Sequence, residues 1–288
     1  TRTHPQPGAV NILWVISHPD LVDVREVQQF DIIVSASPIW AQDMRRRSGR
    51  EVEVIFQATD PRLFAPRAVS DQPGPALFVG GTRGQESRPI VSGALEAGLD
   101  LTVYGPGWAG RLPEGVWRAD YLENVELSKA YGAAGVVLND HWPDMAAQGF
   151  VNNRLFDAVA SGARVVSDHV EGIDQLFADS VRTYSSVAEL AALCSPSGLA
   201  SFPSAAERIS RAERVRREHS FRARAEQLLK LVEDFLFKRG EASRAAAQRA
   251  GRGGQAPMAF RSLAPIRAGG SGADLSAVYL PELGPTNS

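Results

Sequence analysis

The strongest constraint on the fold is a regular alternation of short β-branched runs with helical patterns. Residues 11–17 (NILWVIS) form an unbroken apolar run, typical of a strand buried on both faces of a parallel sheet. Further strands are predicted at residues 31–35 and 52–56, with a helix from Ser37-Pro38 to Arg47 between them. This order requires right-handed crossovers and a parallel α/β sheet. Because three strands make a small layer and the chain opens without a methionine, we expect further strands upstream.

A second alternating series follows a proline-rich stretch. Residues 57–75 hold four prolines and no long periodic run, which is typical of a linker. After it, strands are predicted at residues 76–79, 99–104, 135–139 and 163–167. Helices are predicted at residues 88–97, 125–131, 153–160, 187–193 and 205–237, the last broken near His219-Ser220. We therefore divide the chain into an incomplete first domain with its linker (residues 1–66), a second α/β domain (67–239) and a tail (240–288).

The tail and the overall composition exclude several classes of protein. From Gly240 onward Ala, Gly, Arg, Ser and Pro dominate, so we expect disorder there. The arginines of the tail suit peripheral contact with an anionic membrane surface, although a solubilising tail is the favoured alternative. A net charge of -2 argues against nucleic-acid binding. A single cysteine, Cys194, excludes an internal disulfide, and no signal or membrane-spanning run is present, so we expect a cytoplasmic protein.

Candidate site residues follow the strands of the second series, where open parallel sheets bind ligands. Gly80 and Gly81 let the backbone approach a ligand, and Arg83 suits bidentate binding of a phosphate. An ordinary turn is the alternative for this GGTRG segment, and it is not a P-loop. Tyr104 and Gly105 end the next strand, where Tyr104 is either a core residue or a ligand contact.

The third strand of this series ends in the polar segment 139–144 (NDHWPD), which begins with Asn139. Asp140 and His141 lack a third ligand at a suitable spacing, so we predict no metal site. The densest polar group lies in residues 149–168 (GFVNNRLFDAVASGARVVSD). Asn153 and Asp157 are spaced for one helix face, either to complement the helix dipole or to bind sugar hydroxyls.

These segments together resemble a known family. FVGGTRG, VYGPGW, the run VVLNDHWPDMAAQGFVNNRLFDAVASGARVVSD and VEGIDQLF are similar to the carboxy-terminal domain of GT-B glycosyltransferases. The branch they resemble is the CgeB-like (spore maturation protein type) group of the group-one, family-4-like enzymes. The resemblance covers roughly residues 11–229, and the linker segment QATDPRLFAP is similar to that family's interdomain stretch.

The resemblance implies two Rossmann-like domains that face a cleft, the first of them incomplete here. The second domain is then expected to bind a nucleotide-sugar donor, and the first a glycan or other acceptor, with no cofactor. By position, Gly81 and Arg83 contact the diphosphate, and Tyr121 and Leu122 meet the base. Asn153, Arg154 and Asp157 border the sugar and ribose. Full-pattern relatives carry two glutamates at this block, and here those positions hold Gly149 and Asp157.

His18 ends the first strand at a position where related enzymes place a cleft histidine, although a structural histidine before a proline is the alternative. The resulting hypothesis is a retaining, metal-independent glycosyltransferase acting on a cell-surface glycan, with His18, Arg83 and Asp157 as catalytic candidates. Composition indicates a bacterial source. The alternative is a GT-B-like module that binds a nucleotide or glycan without chemistry. A dinucleotide-dependent oxidoreductase is disfavoured because no G-x-G-x-x-G follows a strand.

Overall fold

A computed structural model describes residues 4–72 and 74–251 of the chain. The chain divides into one compact unit that ends at Arg239 and a second unit that begins at Gly240. The sheets and the candidate site described below belong entirely to the first unit.

Two parallel sheets organise this unit. The first contains β1 (Ile12–Val15), β2 (Ile32–Ser35) and β3 (Glu53–Val54), hydrogen-bonded in chain order. The second contains β4 (Ala76–Val79), β5 (Leu101–Tyr104), β6 (Trp117–Ala119), β7 (Val136–Asn139), β8 (Val165–Asp168) and β9 (Val181–Tyr184). Its order, β6-β5-β4-β7-β8-β9, is that of a doubly wound Rossmann sheet. The connections after β4 and β7 therefore leave in opposite directions, and a crevice opens between these two strands.

Helices connect the strands and cover the sheets. They are α1 (Val24–Val27), α2 (Pro38–Ser48), α3 (Pro89–Glu96), α4 (Asn124–Ala133), α5 (Pro143–Ala147), α6 (Asn153–Ala160), α7 (Ile173–Phe177), α8 (Val187–Cys194), α9 (Pro196–Ala200), α10 (Ala205–Glu218) and α11 (Phe221–Gly251). Local sequence signals set their starts: the Ser37 side chain caps α2, and Ser204 and Glu207 form a capping box on α10. No helix in the described part of the chain combines the length and apolar composition needed to span a bilayer.

Each sheet buries apolar side chains against its helices. Helix α6 buries Leu155, Phe156 and Val159, as its spacing predicts, against a cluster that also includes Phe64 of the linker. Helix α11 runs back to the first sheet, where its apolar residues pack on Ile32, Val34 and Ile55. These α11 residues are Leu228, Leu231, Val232 and Phe235. The last helix thus covers the first sheet with its apolar residues.

The predicted strands all coincide with observed ones, but several short elements were not predicted. These are β6, β9, α5, α7 and α9. The tail also differs from expectation, because α11 continues to Gly251, past Gly240, where disorder is predicted to begin. Residues 241–250 (EASRAAAQRA) explain the difference, since they are rich in Ala and contain no proline. The rest of the predicted tail, residues 252–288, lies outside the described residues.

Candidate functional site

Tight backbone contact between the ends of β4 and β5 forms one wall of the crevice. The Gly80 N–H donates to the Tyr104 carbonyl at 2.7 Å, and the Thr82 N–H donates to the Pro106 carbonyl at 3.2 Å. Gly105 has φ +142°, and a Cβ there would lie 2.3 Å from the Gly80 carbonyl oxygen. Only glycine permits this approach. A Cβ at Gly81 would lie 3.0 Å from the Pro106 carbonyl oxygen, so the predicted glycines do lie together at the carboxyl edge of the sheet.

Arg83 reaches across the crevice from β4 to the end of β7. Its guanidinium donates to the His141 carbonyl at 2.9 Å and to the Asp140 carbonyl at 3.4 Å. It also stacks on the Trp142 ring at 4.3 Å from the centroid. Burial and the nearby Arg154 lower the pKa of Arg83 to about 10, so it still carries its charge at neutral pH. Arg83 is thus a largely buried cation hydrogen-bonded to neutral carbonyl groups.

Sequence reasoning missed the ion pair that ties the two loops together. Arg88 is 1% exposed and contacts both carboxylate oxygens of Asp140, with Nε to Oδ2 at 2.9 Å. Its third bond runs to the Gly81 carbonyl at 2.8 Å. Arg88 therefore fixes the glycine loop of β4 against the end of β7. The available signal was an arginine soon after GGTRG together with an aspartate at the end of a neighbouring strand.

His141, which follows Asp140 in the chain, pairs with Asp168 at the end of β8. Its Nδ1 lies 2.6 Å from Asp168 Oδ1, and its backbone N–H donates to Oδ2 at 3.0 Å. Burial alone raises the pKa of Asp168, but the bonds from His141 outweigh that effect and lower it. Both Asp140 and His141 thus have protein partners. Across residues 4–72 and 74–251, no group of three or more His, Cys, Asp or Glu side chains is arranged to hold a metal ion.

Asn139 and Arg154 form the floor of the crevice. Asn139 is fully buried, and its side-chain oxygen accepts from Asn152 Nδ2 at 3.0 Å and from Arg154 at 3.1 Å. The Arg154 guanidinium passes so close to Gly80 that a Cβ there would lie 2.8 Å from it. Burial lowers the pKa of Arg154. The structure therefore places Arg154 beside the glycine loop rather than only beside Asn153 and Asp157.

Asp157 lies on α6 and is held by two neutral donors. Thr59 Oγ1 donates to its Oδ1 at 2.7 Å, and Asn153 Nδ2 donates to its Oδ2 at 2.8 Å. The second bond agrees with the spacing that predicts one helix face for these residues. Burial raises the pKa of Asp157 to about 7, and the two hydrogen bonds oppose that rise. The carboxylate is accordingly poised to titrate near neutral pH.

His18 reaches the same region from the first sheet. It follows β1 in the left-handed backbone conformation, with φ +46°. Its ring meets the Trp142 ring edge-on at 5.1 Å, and its Nδ1 lies 3.5 Å from Asp144 Oδ2. Trp142 thus contacts both Arg83 and His18, which brings two of the predicted catalytic residues to one indole ring.

The residues predicted to meet a base lie on the loop after β6. Tyr121 is 60% exposed there, and Leu122 is half-buried. Tyr104 packs against the apolar cluster of α6, which favours the core alternative for its ring. Its carbonyl nonetheless anchors the glycine loop.

Gly149, which occupies the place of one glutamate in the pattern that the resemblance implies, lies against the start of α2. Its φ is +71°, and a Cβ there would lie 2.8 Å from Ile39 Cδ1 and 3.1 Å from Ser37 Oγ. Ser37 Oγ also donates to the adjacent Gln148 carbonyl at 2.5 Å. The positive φ and the contact with the start of α2 therefore both favour glycine at position 149.

Comparisons with known proteins agree with the fold. Residues 87–230, half of the chain, match the model of a family described as glycosyl transferase-like. HepE of Anabaena, solved in complex with UDP-glucose, aligns with a TM-score of 0.57 and 11% identity, over 77% of this chain and 72% of that one. Sucrose-phosphate synthase from Thermosynechococcus elongatus aligns with a TM-score of 0.54 and 16% identity, over 78% of this chain and 65% of that one.

A third solved structure is AviGT4, a glycosyltransferase involved in avilamycin A biosynthesis, with a TM-score of 0.50, 18% identity, and coverage of 71% and 63%. The chain thus spans less than two thirds of the synthase and of AviGT4. None of the curated proteins compared with the chain matches it. At these identities the structures show the fold, and they confirm the expected GT-B type α/β architecture with parallel sheets.

Proposed function

This chain belongs to the glycosyl transferase-like family, and from that premise we propose that it transfers a sugar from a nucleotide-sugar donor to an acceptor. The observation that carries the proposal is the arginine cluster at the crevice of the six-stranded sheet. Arg83, Arg88 and Arg154 converge there, and Asp140 is the one carboxylate within 4 Å of any of their guanidinium groups among the described residues. Such an excess of buried positive charge suits a diphosphate.

The proposed donor site follows from these positions. The diphosphate lies against the Gly80-Gly81 loop and Arg83, with Arg154 beneath it. Asn153 and Asp157 bind hydroxyl groups of the ribose or sugar, and Tyr121 with Leu122 borders the base. A similar structure supports a nucleotide-sugar, since HepE was solved with UDP-glucose. In this proposal residues 67–239 form the donor side and residues 1–66 contribute to the acceptor side.

The chemistry then depends on stabilising the leaving group. As the bond between the anomeric carbon and the donor phosphate oxygen breaks, negative charge grows on the diphosphate. In this proposal the Arg83 guanidinium at the end of β4 stabilises that charge. In a retaining reaction the acceptor oxygen attacks from the same face and gives its proton to the departing diphosphate. His18 orients a hydroxyl group, and the arginines supply the charge without a metal or other cofactor.

Finer features of the proposal rest on the resemblance alone. We propose a CgeB-like bacterial enzyme in the cytoplasm with a cell-surface glycan as acceptor. Membrane contact through the tail arginines is also a proposal, and those from Arg252 onward lie outside the described residues.

Arg83→Ala and Asp157→Ala test the site. We expect each variant to lose at least about a hundredfold of donor turnover or donor hydrolysis, because each removes a charged contact to the donor. Thermal unfolding provides the control, since Arg83 makes few bonds that the fold requires. Donors are first selected by thermal stabilisation with UDP, GDP and their sugars, where a ligand at 100 times its Kd adds about 2.7 kcal/mol. Unchanged turnover in both variants would refute the site.

The second candidate, a binding module without chemistry, is favoured by Gly149, where the family pattern has a carboxylate. Calorimetry with UDP-glucose, combined with a product assay, separates the two. Binding of UDP-glucose with neither transfer nor hydrolysis supports the module, whereas release of UDP supports the enzyme. Failure to bind any nucleotide contradicts the enzyme and leaves only a module that binds a glycan.

A further inference from the structure

Thr59 of the linker holds a fixed position beside the proposed donor site. Its side chain and backbone are fully buried. Its N–H donates to the His219 carbonyl at 2.9 Å, and its carbonyl accepts from the Phe221 N–H at 3.2 Å. Thr59 is therefore hydrogen-bonded on both sides to the turn that joins α10 to α11, where it pairs with Ser220 like a short strand.

Arg224 makes this turn rigid. It is 3% exposed and donates to the Phe56 carbonyl at 2.7 Å and to the Gln57 carbonyl at 3.0 Å. It also lies 2.5 Å from His219 Nδ1. Burial and the Arg224 charge lower the pKa of His219 to about 4, so the neutral imidazole accepts this bond at ordinary pH. The backbone before Thr59 and the turn behind it are thus held by one buried guanidinium.

From this fixed position the Thr59 hydroxyl reaches Asp157, 98 residues later in the chain. Thr59 occupies one site on Oδ1, and Asn153 occupies one site on Oδ2. A carboxylate oxygen can accept two hydrogen bonds, so each oxygen keeps one site for a ligand hydroxyl. Two donors on different elements also fix the plane of the carboxylate, which decides where those remaining sites point.

We propose that Thr59 is a positioning residue that orients the Asp157 carboxylate for donor hydroxyl groups, so that the interdomain linker takes part in donor binding. This inference rests on the proposed function of the site. It goes beyond that function by assigning a role to a residue outside the donor-side sheet. It also assigns a role to the hydroxyl group of Thr59, a buried residue whose shape valine would match.

The proposal has a signature in the pH dependence of binding. The charged and titratable groups around Asp157 are Arg154 on its own helix, Tyr131 on α4, Asp60 on the linker and His219 at the end of α10. Donation by Thr59 favours the ionised carboxylate against the effect of burial. Removing the hydroxyl therefore raises the pKa of Asp157 further and leaves less carboxylate at neutral pH.

Calorimetric titration of the full chain with UDP-glucose between pH 5.5 and 8.5 tests the proposal. UDP-glucose is the suitable probe because its esterified diphosphate does not titrate in this range, unlike the terminal phosphate of UDP. In the unaltered chain, affinity is expected to rise as Asp157 ionises. Thr59→Val should bind about tenfold more weakly at pH 7 and reach its plateau at higher pH. Thr59→Ser, which keeps the hydroxyl, should restore most of the affinity and the original profile.

Two controls separate this inference from the proposed function. In an Asp157→Asn background, Thr59→Val should have no further effect on UDP-glucose affinity, because the group it positions is gone. Equal affinity and an equal pH profile for Thr59→Val and the unaltered chain would overturn the role of Thr59. A similar loss in Thr59→Ser and Thr59→Val would also overturn it, as packing alone would then explain the effect. Absence of UDP-glucose binding in the unaltered chain would instead contradict the proposed function.

Discussion

Buried arginines lie at both ends of the six-stranded sheet, and their surroundings differ. At the amino edge, Arg208 is 2% exposed and donates to the carbonyls of Gly162 at 3.0 Å and Ser70 at 2.8 Å. Arg208 and Arg164 also share one carboxylate, Asp71, each at 3.3 Å. That carboxylate is 54% exposed, so water completes its hydration. The cluster joins a loop, a helix and a strand end, and its contacts are of the kind that hold elements together.

At the carboxyl edge the balance of charge is different. Arg88 and Arg83 both lie near Asp140, which is 4% exposed, while Arg154 is held by the amide of Asn139. Two cations thus share one carboxylate at ion-pair distance, and the third, Arg154, has no carboxylate within 4 Å among the described residues. Burying unmatched charge costs stability, so a fold without a ligand to bind gains nothing from it. The comparison indicates that the amino-edge cluster serves the fold and the carboxyl-edge cluster serves a ligand.

Arg88→Met should produce the largest effect, because it removes both direct hydrogen bonds to the buried Asp140 carboxylate and leaves it only the longer contact with Arg83 at 3.7 Å. We expect the free energy of unfolding to fall by about 3–5 kcal/mol, the usual cost of leaving one member of a buried pair unmatched. Urea denaturation followed by far-UV circular dichroism measures it.

The double variant Arg88→Met with Asp140→Asn is the control, since it removes the unmatched charge and should recover part of the stability. UDP-glucose affinity should stay low in the double variant, because the glycine loop has lost its bond to Arg88. Full stability in Arg88→Met alone would contradict the role of the pair.

Arg208→Met tests whether the arginine cluster at the amino edge of the sheet contributes to stability but not to ligand binding. We expect a loss of about 2–3 kcal/mol in unfolding free energy, because buried carbonyl groups lose their donor. Affinity for UDP-glucose should stay within about twofold at a temperature where the variant is folded, since the lost bonds lie at the opposite edge. Arg83→Met is the matched variant and should show the reverse: nearly full stability and weak binding. A large loss of affinity in Arg208→Met would remove the distinction between the two clusters.

Most of the strands that could be predicted from sequence are interior strands of their sheets. Strands β2, β4, β7 and β8 are mainly apolar and buried along nearly their whole length, a pattern that indicates a strand of a parallel sheet. The two unpredicted strands, Trp117–Ala119 (WRA) and Val181–Tyr184 (VRTY), are the edges of the six-stranded sheet. Edge strands are short and carry polar side chains, so their local pattern resembles that of loops.

The residues of the candidate site likewise include some that the local sequence indicates and some that it does not. Gly80, Arg83, Asn153 and Asp157 could be proposed from sequence because each follows a strand or begins a helix. The Arg88–Asp140 pair joins residues 52 apart, and the Thr59–Asp157 bond joins residues 98 apart. No local pattern encodes such distances, since they depend on strand order and on the turn between the last two helices. Nothing in the local sequence distinguishes Thr59 from the rest of the linker, and its fixed position follows from its backbone bonds to His219 and Phe221.

The smallest changes in unfolding free energy are expected for variants of two carboxylates, Asp157 at the carboxyl edge and Asp71 at the amino edge. Folding raises the pKa of Asp157 to about 7, so the folded state favours the protonated form more than the unfolded state does. The stability linked to this proton is present below the unfolded value near 3.8 and is lost as pH rises through about 7. Asp157→Asn removes the cost of holding an ionised carboxylate at this buried position. We therefore expect it to stabilise the fold by about 1–2 kcal/mol at pH 8.5 and by little at pH 5.

Asp71→Asn is the matched variant and should instead destabilise the fold by about 1 kcal/mol, because it weakens a bridge between two buried arginines. Thermal unfolding of both variants at pH 5 and pH 8.5 measures the difference. A destabilised Asp157→Asn at pH 8.5 would mean that this carboxylate contributes to the fold as Asp71 does. If Asp157→Asn is instead stabilised at pH 8.5 and no longer binds UDP-glucose, the Asp157 carboxylate lowers the stability of the fold and is needed for binding. A cost in stability of this kind is expected of a residue in a ligand site.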